Sequence, residues 1–231
     1  TFSTILTAGG RRRGGAASTD RLDEIVGWCR ATAVTKVYVE AYRNGHTVPR
    51  ETVLAMAEGL RERGLEVSGG VTTTKVGKPS NHWEVVCCFS DPRTRENLQK
   101  AFEHAASVSD EIMIDDFFFT ECDCEQCAEA KGDRTWTEFR RDLMLRLARE
   151  RVLGPARAVN PNVRVILKYP QWYEILHERG YDVVAETEVF DRTWVGTETR
   201  DPDRPKDDLP VVTQYQAFFN LRWHTAIEGD K

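Results

Sequence analysis

Nothing in this 231-residue sequence is long and apolar enough to span a bilayer, which takes about 20 predominantly apolar residues. Nucleotide cradles are missing as well: neither G-x-G-x-x-G nor G-x-x-x-x-G-K-[ST] follows the first run that reads as a strand. There is no basic stripe. Lys and Arg number 32 against 37 Asp and Glu, a formal net charge of -5, which argues against a nucleic-acid partner. The Arg11-Arg12-Arg13 run is short and reads as a solvated loop. No signal-peptide pattern opens the chain, and its first residue is Thr1 rather than Met, so a processed chain or a piece of a longer one is expected. These absences leave a soluble globular protein, cytoplasmic or secreted, that meets neither nucleic acid nor membrane.

The chain is 40% hydrophobic and 30% charged, enough for one domain over residues 1–231 with a real core. Short apolar runs alternate with amphipathic helical patterns. Strands are expected at 4–8, 36–42, 66–72, 111–117, 163–169, 188–196 and 211–216. A helix capped by Ser18 or Thr19 places Leu22, Ile25, Val26 and Cys29 on one face. Further helices start at Pro49, closing at Gly64, and at Pro92. Another starts at Thr135, where Thr135-x-x-Glu138 is a capping box. A short helix with Ile175 and Leu176 ends at Gly180, and the segment 201–209, rich in Pro and Asp, reads as a loop. This alternation means a parallel α/β sheet, and without a nucleotide fingerprint it reads as a (β/α)8 TIM-type barrel. Seven strands are counted where eight close a barrel. The expectation is therefore an incomplete barrel whose last βα unit is missing, with an open edge beside the first strand.

In such a barrel the chemistry sits at the C-terminal ends of the strands. Those ends carry Glu40, Tyr42 and Arg43, then Thr73, Thr74 and Lys75, then Asp115 and Asp116. Further round come Lys168, Tyr169, Gln171 and Trp172, then Glu198 near the sixth strand and Gln214 and Tyr215 from the seventh. Carboxylates, bases and aromatic faces together suit a sugar. The apolar run Ile112-Met113-Ile114 ends in the two adjacent carboxylates Asp115 and Asp116. Strand alternation points one into the mouth and the other away, so a second carboxylate must come from elsewhere, Glu198 first and Glu40 second. Phe117, Phe118 and Phe119 follow directly, and apolar neighbours would raise the Asp116 carboxyl pKa.

The six cysteines do not form a spread disulfide framework. Cys29 lies on an apolar helix face and reads as a buried thiol. The other five fall in two clusters, Cys87-Cys88 and the C-x-C-x-x-C run of Cys122, Cys124 and Cys127. Three thiolates lack one ligand of a zinc site, and Cys87 or Cys88 supplies it if the two loops lie side by side.

The segment 88–145 resembles the family 42 glycoside hydrolases, β-galactosidases of clan A with a (β/α)8 catalytic domain. In that family the fourth strand ends in Asn-Glu, with the Glu as acid/base, and a C-x-C-x-x-C loop holds zinc with a cysteine four residues before a proline. Cys88 stands four residues before Pro92, so the resemblance assigns a structural zinc to Cys88, Cys122, Cys124 and Cys127. It aligns Asp116 with the acid/base and Asp115 with the Asn. The family's nucleophile, a Glu ending the seventh strand, has no counterpart beside Gln214 and Tyr215.

The expected function is glycoside hydrolysis on an oligo- or polysaccharide, with Asp116, Glu198 and Asp115 as catalytic carboxylates. Glu40, Arg43, Lys168, Trp172 and Tyr215 would bind the sugar. No organic cofactor is expected, and additional domains or a homo-oligomer are left open. The alternative is a non-catalytic carbohydrate-binding or scaffold barrel.

Overall fold

Every long strand runs the same way, and the strand order follows the order of the chain. The structure, a computed structural model, describes residues 1–7, 19–197 and 214–228. It consists of β1 (Phe2–Leu6), α1 (Thr19–Ala31), β2 (Val34–Arg43), β3 (His46–Thr47), α2 (Arg50–Arg61), β4 (Glu66–Val71), α3 (Pro92–Ala106) and β5 (Glu111–Ile114). There follow α4 (Glu125–Lys131), α5 (Trp136–Leu147), α6 (Gly154–Val159), β6 (Arg164–Tyr169), α7 (Val183–Val189), β7 (Arg192–Val195) and α8 (Gln214–Glu228). The sheet order is β1-β2-β4-β5-β6-β7, each neighbouring pair parallel. A doubly wound sheet reverses direction at a switch point, and this one does not. It is an incomplete TIM-type barrel, as the alternation of elements predicts.

The two-residue strand β3 is the one antiparallel member. It exists because Asn44 (φ 51) and Gly45 (φ 74) both take left-handed backbone, the tight hairpin turn that an Asn-Gly pair favours. Pro49 precedes α2 and Gly64 follows it with φ 86, as expected. The capping box of Thr135 and Glu138 opens α5. Asp91 caps α3, its carboxylate accepting from the Thr94 amide.

Period-2 alternation sends one set of side chains into the barrel and the other toward the helices. The outward set joins the helices in the main core, with Leu60, Leu98, Phe102, Ile112 and Ile114 fully buried. The inward set stacks in layers, as barrel interiors do. At the bottom Glu111 receives Lys36 at 2.5 Å, Ser68 at 2.9 Å, Tyr38 at 3.3 Å and Arg164 at 3.2 Å. Burial works to raise the Glu111 carboxyl, but the hydrogen bonds and charges of these partners outweigh it and hold it below its ordinary range. Above it Tyr38, Met113 and Ile166 pack with Ile5 and Trp194, the Tyr38 and Trp194 rings edge to face at 5.2 Å. The top layer is the polar set of Glu40, Thr72, Asp115 and Lys168.

Two expected strands need correction. Residues 188–196 do not form one strand: Val183–Val189 is helix and only Arg192–Val195 is strand. The β-branched Val183, Val184, Thr187 and Val189 favour strand locally, but Asp182 caps the segment by accepting from the Ala185 amide at 3.2 Å, and one face is buried. The strand expected at 211–216 is contradicted for Gln214 onward, which begins α8. Residues 211–213 and the 201–209 loop lie outside the described residues.

Helix α8 docks on the barrel through His224, 2% exposed, which stacks on Tyr169 of β6 at 5.1 Å. Burial lowers the His224 pKa to about 4. In the unfolded chain the ring charges as pH falls through about 6.5. The neutral folded ring thus contributes stability that is present above that pH and is lost as pH falls toward 4. Urea unfolding of the unmutated protein should lose about 3 kcal/mol more between pH 7 and pH 4 than that of His224→Phe. Parallel pH dependences for the two proteins would contradict this account.

Candidate active-site mouth and cysteine cluster

The mouth is built by three strand ends that converge on one charge lattice. On β2 and β4, Glu40 pairs with Gly70 and the next pair is Tyr42 with Val71, so Ala41 is an extra residue, a β-bulge. The bulge shifts the side-chain period by one. Tyr42 turns outward, its hydroxyl donating to the Lys75 carbonyl at 3.1 Å, and Arg43 takes the inward place above Glu40. Gly70 makes room, since a Cβ there would meet the Glu40 side chain at 3.2 Å.

Glu40 is fully buried. Its carboxylate accepts from the Thr72 hydroxyl at 2.5 Å and from Arg43 Nε at 3.3 Å. Arg43 also donates to Thr72 Oγ1 at 3.2 Å and to Asp115 Oδ2 at 3.3 Å. Lys168 Nζ then bridges Asp115 Oδ1 at 3.3 Å and Asp116 Oδ2 at 3.2 Å. Three carboxylates against Arg43 and Lys168 leave these five groups one negative charge in excess.

Strand alternation was expected to separate Asp115 from Asp116, and the structure corrects this. Strand β5 ends at Ile114, and the chain turns at once, the Phe117 amide donating to the Asp115 carbonyl at 2.6 Å. Asp115 keeps the inward position of Glu111 and Met113, while the turn swings Asp116 back to the same ammonium. The expected apolar setting of Asp116 is corrected too. Phe118 and Phe119 are fully buried in the main core, and only Phe117 stays half-buried at the rim. The side chain beside Asp116 is a lysine.

Glu40, Arg43, Lys168, Asp115 and Asp116 are thus brought together, but Glu40 is fully buried, its carboxylate in contact with Thr72 and Arg43. Trp172 sits at the rim, edge to face on Phe119 at 5.5 Å. Gln171 is buried there with no hydrogen-bond partner for Oε1 among the described residues, a cost that a ligand hydroxyl would relieve. Glu198 lies outside the described residues. Tyr215 falls in α8 rather than at a strand end, and its side chain is likewise outside the described set. Sequence reasoning missed Thr72, the hydroxyl that joins Glu40 to Arg43, although its position one residue past β4 was the available signal. It also missed Tyr181, whose hydroxyl donates to the Asp116 carbonyl at 3.5 Å.

Beside the mouth, Cys88, Cys122, Cys124 and Cys127 place their sulfurs within 4.8 Å of one another. Cys88 lies 3.7 Å from Cys124 and 3.5 Å from Cys127, and Cys124 lies 3.8 Å from Cys127. These separations exceed a disulfide bond and match the roughly 3.8 Å edge of a tetrahedron with zinc–sulfur bonds of about 2.3 Å. Cys87 points elsewhere, toward the Thr73 carbonyl, and of the two neighbours Cys88 is the one in the cluster. Hydrogen bonding from Cys127 and Cys88 pulls the Cys122 thiol far below its ordinary range, while the Cys122 contact raises Cys127 to about 11. Such sulfurs fit a soft cation that would hold all four as thiolates. Lys78 adds a counter-charge, its Nζ 3.8 Å from Cys124 Sγ and its pKa raised by Cys88 first and Cys124 second.

The cluster joins the β4–α3 loop to the β5–α5 loop. Other links run in parallel: Asn81 donates to Asp123 at 2.6 Å, His82 pairs with Asp123 at 2.9 Å, and the Trp83 amide donates to Glu121 at 2.7 Å. Glu121 is held in turn by an ion pair with Arg179.

Comparison with known proteins adds a family. A family model described as a probable glycosyl hydrolase, catalytic domain, matches residues 12–231. An uncharacterized protein of Saccharolobus solfataricus is 30% identical over 237 residues, covering 92% of this chain and 38% of that protein. The chain therefore spans well under half the length of that relative. Among solved structures, the β-galactosidase from the psychrophilic Marinomonas ef1 superposes with a TM-score of 0.62 at 10% identity, covering 90% of this chain and 43% of that one. At that identity the likeness speaks for the barrel fold alone. No helix among the described residues is long and apolar enough to cross a membrane.

The lattice makes its own prediction. Arg43→Met strips a cation from the fully buried Glu40 and should cost about 2–3 kcal/mol in urea unfolding, allowing for the partial exposure of Arg43. Adding Glu40→Gln should restore about half of that loss. A cost below about 0.5 kcal/mol for the single variant would show that Arg43 does not hold Glu40.

Proposed function

The chain belongs to the family of probable glycosyl hydrolase catalytic domains, and on that premise we propose that this mouth hydrolyses O-glycosidic bonds with Asp116 as general acid. The observation that carries the reading is the pair Asp115 and Asp116 on one ammonium, at the end of a central barrel strand. Two carboxylates and Lys168 together carry one negative charge, and Lys168 pairs with both carboxylates. Asp116 gives a proton to the glycosidic oxygen as the bond to the leaving group breaks. Asp115, held by Arg43 and Lys168, orients the two cations. Arg43, Lys168 and Gln171 have donors for the sugar hydroxyls, and Trp172 and Tyr215 complete the sugar contacts.

The reaction needs a second carboxylate opposite the first. Glu40 is unsuited because it is buried. We assign the role to Glu198, three residues beyond the end of β7 in sequence, where it activates water or attacks the anomeric carbon. The substrate is an oligo- or polysaccharide, and the Asp115-Asp116 and cysteine-loop pattern favours a diverged relative of the family 42 β-galactosidases. Cys88, Cys122, Cys124 and Cys127 hold one structural zinc. Four sulfur ligands leave it no open position, so it supplies cross-linking of two rim loops rather than chemistry at the sugar.

Two experiments test this. Asp116→Asn keeps the shape and removes the proton donor. It should slow hydrolysis of glycosides with poor leaving groups by about 10²-fold or more, and affect activated aryl glycosides less. Equal small losses on both substrate classes would remove Asp116 from the acid role. Sugar binding without hydrolysis by the unmutated protein would favour a non-catalytic binding barrel instead. For the metal, purified protein should contain one equivalent of zinc, and Cys124→Ser should lose it together with thermal stability. Zinc-free unmutated protein would end the assignment.

A further inference from the structure

Trp83 lies on the β4–α3 loop and is 41% exposed, one of eight large apolar side chains left open among the described residues. Its ring leans on Phe117 with centroids 5.7 Å apart, and on Phe119 at 6.4 Å. Phe117 is the residue that follows Asp116, so the indole packs on the chain neighbour of the proposed acid. An aromatic ring costs stability when left in water, and a loop would ordinarily let it move. Here the loop is fixed. The Trp83 amide donates to Glu121 at 2.7 Å, its carbonyl accepts from Val86 at 2.9 Å, and the adjacent Asn81 and His82 both hold Asp123. The cysteine cluster fastens the same two loops a few residues away. An exposed indole held rigidly beside an acid is built to receive something.

We infer that Trp83, backed by Phe117, is the platform for the leaving group, and that this leaving group is a sugar ring with an apolar C–H face. The inference rests on the reading of Asp116 as the general acid. The glycosidic oxygen must lie at Asp116, with the reacting ring on one side and the leaving group on the other. The reacting ring needs partners for its hydroxyls and an approach for the second carboxylate. The charge lattice of Arg43, Asp115 and Lys168 offers those partners, and it lies toward the barrel axis. On the other side of Asp116 we place the wall formed by Phe117, the next residue in the chain, and Trp83, which packs on it. The two rings offer flat apolar faces, which suit the C–H face of a pyranose. The substrate is therefore at least a disaccharide, and the rim loops tied by the cysteine cluster form its leaving-group side.

The test compares substrates that differ only in the leaving group. Lactose, cellobiose and β-1,4-mannobiose are each paired with the β-glycosyl fluoride of the same reacting sugar, which presents no ring to Trp83. In whichever series the unmutated protein hydrolyses, Trp83→Ala should lower kcat/KM for the disaccharide by about tenfold or more. The fluoride should stay within about twofold, and Trp83→Phe should recover most of the loss. Equal losses on disaccharide and fluoride, or no loss on either, would overturn the inference while leaving the hydrolase reading intact. If no series is hydrolysed, the hydrolase reading fails, and calorimetric titration of the same disaccharides decides the platform separately. Weaker binding by Trp83→Ala than by unmutated protein supports it, and unchanged or undetectable binding overturns it.

Discussion

One ammonium facing two carboxylates is the constraint on which the mouth depends. Lys168 reaches Asp115 and Asp116 from β6 while Arg43 reaches Asp115 from β2, so three strands are joined through charge at the point where the sheet opens to solvent. Neither cation is exposed enough for water to screen it fully, and neither carboxylate could sit there unpaired at low cost. The arrangement is short by one positive charge.

The rest of the fold brings those groups to one place. Parallel register pairs Glu40 with Gly70 and Gly70 with Met113, which leaves Asp115 one inward step above them, and the bulge at Ala41 converts what would be an inward tyrosine into an inward arginine. Beneath, the apolar layer of Tyr38, Met113 and Ile166 separates the mouth from the Glu111 ion cluster at the bottom, so the two polar sets do not compete for partners. Beside the mouth the four cysteine sulfurs lie within 4.8 Å of one another and bring two rim loops together.

Much of this was legible in the sequence. The strands that carry the site ended where apolar runs met polar residues, the C-x-C-x-x-C spacing gave three of the four converging sulfurs, and the resemblance to the family 42 glycoside hydrolases picked Cys88 over Cys87 as the fourth. What was not legible depended on single backbone events. The turn closed by Phe117 and Asp115 reorients Asp116, and nothing in Asp-Asp-Phe announces it. The extra residue at Ala41 decides whether Tyr42 or Arg43 enters the barrel, yet a bulge has no fixed signature. Helix α7 looked like strand because Val and Thr favour strand locally, and the cap of Asp182 with burial of one face overrode that preference. Trp83 carried no periodic signal at all, since its role comes from the neighbours that hold its loop.

The most direct measurement is a structure of the protein with an intact oligosaccharide bound in the mouth. The account requires the glycosidic oxygen to lie within about 2.6–3.2 Å of an Asp116 carboxyl oxygen, with the reacting ring over Arg43, Asp115 and Lys168. A saccharide bound with its glycosidic oxygen beyond hydrogen-bond reach of Asp116, or seated away from this lattice, would contradict it.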